Sequence, residues 1–186
     1  MLVILATPKA KAATITVNVA NGNIVVDTAG NVTENGVAKG TLTNSDVLII
    51  TGSNTAGVIT VNGFDANIEL NNPTAQRMEI TGNAAVTVEL TGTNTLNASS
   101  TGNAALQVEA GNEVTITSGS AGSLTATSGS NAAGIGGGMM GNGGAVHTSG
   151  NAQVTAGGIG GAGIGGGFWG NGGAVHISGN AQVTAG

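Results

Sequence analysis

The sequence predicts an all-β chain wound as a parallel β-helix, a solenoid with three short strands per coil. Three observations lead there. No stretch after residue 12 carries a helical apolar period. Short runs rich in Val, Ile and Thr alternate apolar with polar residues and stop at Gly, Asn, Ser or Asp, which is the pattern of half-buried strands between turns. The chain also repeats itself: residues 133–157 and 162–186 align without gaps at an offset of 29, and 22 of the 25 positions are identical. Repetition on this scale marks a solenoid, in which each repeat buries its apolar face against its neighbours.

The elements follow in chain order. Residues 1–12 read as the remnant of a secretory leader: an apolar run, Pro8, and Ala10-Lys11-Ala12 as a small-residue cleavage site. Residues 13–44 hold the runs Thr14–Val19 and Asn23–Val26, either as further coils or as a cap over an exposed sheet edge. Residues 45–186 form the β-helix, with strands at Val47–Thr51, Gly57–Val61, Ala85–Leu90 and Val114–Thr117. A weaker echo relates 81–90 to 101–110 at an offset of 20, which would place Glu89 and Glu109 on neighbouring coils. The second 29-residue copy divides into Ala162–Gly166, Ala174–Ser178 and Ala181–Ala185, with corners at Asn171-Gly172-Gly173 and Gly179-Asn180. Alternation points Ala162, Ile164, Val175, Ile177, Ala181, Val183 and Ala185 inward, and His176, Gln182 and Thr184 outward. The last copy stops at Gly186 without a polar cap, so truncation at the C-terminus is expected, with end-to-end or edge association if the coil is uncapped.

Composition narrows the functions. Gly is 35 of 186 residues with only 2 Pro and no Gly-X-Y period, which excludes collagen. Four Lys+Arg and a net charge of −5 exclude phosphate neutralisation on nucleic acid. Zero Cys excludes a disulfide framework and thiolate chemistry. No apolar run reaches the length of a membrane span.

The unit GAGIGGG…GNGGxVxIxGxxxVTAxG, preceded by GTNTL at 92–96 and AALQVEAGxxVTI at 104–116, resembles a family of secreted bacterial surface proteins. These carry pectin-lyase-like right-handed parallel β-helices, often described as carbohydrate-binding or adhesin-like. The resemblance covers residues 45–186 and implies a right-handed coil. Lytic members of that superfamily cluster Asp, Arg or Lys on one outer face, and the repeats here carry none.

The side chains themselves offer little catalytic chemistry. After Glu113 the only ionisable side chains are His147 and His176, so the repeats hold no acid–base pair of the kind glycoside hydrolysis uses. No enzyme activity, cofactor or metal is assigned. The two His residues, 29 apart, stack outward on adjacent coils as an inherited ladder, and their joint protonation would place like charges side by side. Thr-x-Thr pairs at 14/16, 41/43, 93/95, 115/117 and 125/127 raise ice binding, but their spacings of 27, 52, 22 and 10 are no constant coil length and predict no single regular array. Met139-Met140 and Phe168-Trp169 occupy equivalent corners beside a glycine strand nearly bare on its outer side, where a sugar ring could stack on the aromatics. Phe168 and Trp169 are therefore the candidate ligand residues. The expected function is a non-catalytic, extracellular cell-surface protein that binds polysaccharide or a surface glycan, or mediates adhesion. The alternatives are a structural stalk and a fragment of a polysaccharide lyase or hydrolase.

Overall fold

The computed structural model describes residues 12–186, so the leader expectation falls almost wholly outside the described residues. Strands dominate. The chain begins with β1 (Thr14–Asn18), a 3-10 turn at Val19–Asn21 and β2 (Ile24–Val26), followed by a hairpin of β3 (Asn31–Glu34) and β4 (Val37–Thr41). Next come β5 (Val47–Thr51) with β6 (Ser53–Asn62), and β7 (Asn67–Asn71) with β8 (Thr74–Thr81). Then come β9 (Ala85–Thr91), β10 (Thr93–Asn97) and β11 (Leu106–Val108), and after them β12 (Glu113–Thr117), β13 (Ser123–Ala132) and β14 (Ile135–Gly136). The two near-identical copies supply β14 and, after it, β15 (Ala145–Thr148), β16 (Gln153–Gly160), β17 (Ile164–Gly165), β18 (Val175–Ile177) and β19 (Gln182–Ala185).

These strands assemble into two sheets. One is wholly parallel, in the order β1-β5-β7-β9-β12-β15-β18. The other is mixed: β2, β6, β8, β10, β13, β16 and β19 pair in parallel, β11 and β14 link β8 to β17, and the β3–β4 hairpin adds antiparallel to β2. Neither sheet closes on itself. In the parallel sheet the pairing strands are far apart in sequence and their register is unbroken. Val47 faces Asn67 and Asn67 faces Thr87, each 20 residues on, whereas Val146 faces Val175, 29 residues on. Connecting loops absorb the difference.

Strand lengths depart from the expected three short strands. β6 and β13 are each ten residues long, and β8 and β16 eight. Each runs through a corner, and the register shifts there, between Asn54 and Val58 in β6 and between Thr127 and Ser130 in β13. A bulge lets a strand bend without giving up its ladder, so two expected strands become one.

The inward residues form columns. Leu48, Ile68, Val88, Ile116 and Thr148 follow one another rung by rung, and so do Ile24, Ile59, Met78, Leu106 and Ile135. All are essentially buried. In the first copy the expected inward set is buried, as Ala133, Ile135, Val146, Ala152, Val154 and Ala156 show. Their counterparts in the second copy lie in or next to the end strands β17, β18 and β19, where Val175 and Ile177 are 41% and 54% exposed with no further strand of the described residues beside them.

The glycine-rich corners have a packing reason. A Cβ on Gly134 would lie 2.8 Å from both Gly157 N and Gly163 O, and one on Gly167 would strike the Gly138 carbonyl. Backbone meets backbone between the two copies, leaving no room for a side chain.

Candidate functional site

The two copies stack corner on corner. The Met140 N–H donates to the Phe168 carbonyl at 2.9 Å, the Phe168 N–H to the Asn131 carbonyl at 3.0 Å, and the Met139 N–H to the Gly102 carbonyl at 2.9 Å. Met139, Met140, Phe168 and Trp169 all project outward from this junction, and Trp169 is 80% exposed. The Phe168 and Trp169 rings lie 5.0 Å apart between centroids at 22°. Met140 and Trp169 also share a left-handed backbone, with φ of 61° and 63°. Bulky side chains seldom adopt that conformation, which is destabilising by about 1–2 kcal/mol per residue. Here it turns the corner and throws the side chain outward. The glycines beside the aromatics do not form the bare platform expected of them. Gly163 and Gly165–Gly167 are buried, Gly167 against the neighbouring copy and Gly165 and Gly166 against their own corner, so the apolar surface exposed here is a ridge of four side chains.

The His ladder lies on the parallel sheet. His147 faces His176 in register, and their rings stack at 4.9 Å and 4°. Glu113 Oε1 lies 3.6 Å from His147 Nε2. Among the described residues no three His, Asp or Glu side chains converge as a metal site would require.

The carboxylates fall differently from the echo in the sequence. Glu89 does not stack on Glu109. It faces Glu69 on one side and Thr117 on the other, while Glu109 sits opposite Gly143 near the end of β11. The similar segments 81–90 and 101–110 occupy different sheets, because β9 belongs to the parallel sheet and β11 stacks on β8. Glu89 accepts from the Gly119 N–H at 2.7 Å, and Glu69 from Asn71 at 3.3 Å. Both stand on an open sheet face, and the described residues enclose no ligand-sized cavity. Arg77 is tied to Glu79 at 2.8 Å.

At the N-terminal end, three carboxylates work as structural acceptors. Glu34, which is buried, takes the Asn18 N–H at 2.8 Å, Asn21 at 2.8 Å and Lys39 at 3.0 Å. The Asn18 N–H above all holds its carboxyl below the usual range. Asp46 is lowered by the Thr43 and Ala13 N–H groups, and Asp27 by the Asn31 side chain.

Comparison with models of known families, with characterised proteins and with solved structures finds no match for this chain. No helix of the described residues is long and apolar enough to cross a membrane.

Proposed function

We propose that this chain is a right-handed parallel β-helix that acts as a non-catalytic binding scaffold at the cell surface, engaging polysaccharide through the Phe168–Trp169 ridge. The observation that carries the reading is a single, 80% exposed Trp, paired with Phe168 and held out by an unfavourable left-handed backbone. Unfavourable conformations tend to persist where function needs them. An aromatic face presents apolar area to the C–H face of a sugar ring at little cost in side-chain entropy. Small-molecule sites are normally concave. A protruding ridge on a body whose described residues enclose no cavity suits an extended chain ligand instead. Export to the cell surface follows from the Ala10-Lys11-Ala12 site and from the resemblance.

The test titrates the protein with soluble pectins, glucans and mannans while following Trp169 fluorescence. The reading expects a saturable shift with at least one glycan and its loss in Trp169→Ala, with the circular dichroism unchanged. A folded protein that responds to none of them leaves the stalk as the better account.

A further inference from the structure

The mixed sheet carries a second surface of a different kind. Thr74 faces Thr95, Thr95 faces Thr125, Thr125 faces Thr155, and Thr155 faces Thr184. Five threonines thus stand on five successive strands in one unbroken column, and Ser53 extends it beyond Thr74. Their sequence separations are 21, 30, 30 and 29 residues, so unequal loops preserve an equal spatial repeat of about 4.8 Å. Of the Thr-x-Thr pairs in the sequence only 93/95 and 125/127 lie on this face, while 14/16 and 115/117 belong to the parallel sheet and Thr41 ends the β3–β4 hairpin. Those pairs therefore form no single array, and the column is completed by Thr74, Thr155 and Thr184.

The column is flanked by more short polar side chains, with Thr93 and Ser123 on one side and Asn97 and Thr127 on the other. Neighbouring columns lie two residues away along each strand, about 6.7 Å. Thr125, Thr155 and Thr184 are exposed, and Thr74 and Thr95 half-exposed. Among the described residues, their hydroxyls find no intramolecular partner, unlike those of Thr43 and Thr81. The column and the positions two residues to either side of it carry no charged and no aromatic side chain; Arg77 and Glu79 lie farther along β8, and the parallel sheet displays Glu69, Glu89 and Glu113.

We propose that this face binds ice. Each Thr offers a hydroxyl and a methyl on a side chain whose branching restricts χ1, so the groups are held in place before contact. A charged side chain would order water radially around itself and disrupt a planar lattice, and the column and its flanking positions carry none. A soluble ligand would meet one or two rungs. A crystalline water surface repeats on a length scale close to that of stacked strands, so it can engage every rung at once, and many weak contacts then act together. A neutral crystalline polysaccharide shares the periodicity, but this face lacks the aromatic rings on which sugars stack.

The test follows ice growth and recrystallisation with the full chain. The proposal expects faceted crystals and a several-fold smaller mean crystal size after annealing than in buffer. It expects this effect to be lost in Thr125→Lys and in Thr155→Lys, tested separately so that one folding failure does not decide the outcome. Thr87→Lys, on the exposed face of the parallel sheet, should keep the effect. Growth indistinguishable from buffer would overturn the proposal. So would equal loss in all three variants with circular dichroism unchanged, or binding to insoluble cellulose with no effect on ice.

Discussion

Thr148 is where the two copies differ in the core. Its counterpart is Ile177, and its own side chain is 1% exposed with an Oγ1 that has no hydrogen-bond partner. A buried hydroxyl left unpaired is destabilising by about 1–3 kcal/mol. Thr148→Val, which keeps the shape, should therefore raise the free energy of unfolding in urea by about 1–2 kcal/mol. An unchanged midpoint would mean that the hydroxyl is hydrated. Trp169 presents the opposite case, a residue whose local backbone works against stability. Trp169→Asn suits a φ of 63° better and should gain about 1 kcal/mol while abolishing any glycan response. Loss of stability on that change would show the ring to be structural.

Corners and caps decide the element scale. Gly134→Ala drives a methyl into the backbone of the adjacent copy and should be destabilising by about 1–3 kcal/mol. Gly157→Ala meets open space and should be near neutral, so the pair separates packing from chain entropy in one denaturation experiment. The N-terminal circuit depends on Glu34, Asp46 and Asp27, whose carboxyls are held below their ordinary values. Such groups give their full stabilisation above the unfolded range near about pH 4, and it is lost as pH falls through the lowered native values. Amide protection factors in residues 13–46, taken relative to intrinsic exchange at each pH, should fall as pH drops from about 5 to about 2, ahead of those in β15 and β16. Glu34→Gln should flatten that dependence. Uniform loss of protection along the chain would contradict a local origin.

At the scale of the whole molecule, what the sequence makes legible is periodicity within strands and between identical copies. Alternation locates β1, β5, β9 and β12, and the offset of 29 pairs His147 with His176 and Val146 with Val175. Unequal sequence separations between paired strands hide the rest. The echo at an offset of 20 pairs no strands, because similar residues satisfy an inward–outward pattern on either sheet, and Glu89 faces Glu69 instead. The Thr column is invisible for the same reason, since loops of different length separate equivalent rungs. The aromatic corner is legible as a pair of large residues among glycines, but its left-handed backbone and the burial of the neighbouring glycines depend on how the folded corner packs and are not written in the residue pattern. Regular stacking is the claim on which the ridge and the threonine face both rest. Thr74 and Thr184 test it most directly, being 110 residues apart in sequence and four rungs apart in space. Spin labels replacing them should report a narrow distance distribution centred near about 19 Å, four steps of about 4.8 Å, allowing for the labels' reach. A broad distribution, or a centre far beyond that distance, would contradict in-register stacking and remove the basis for both surfaces.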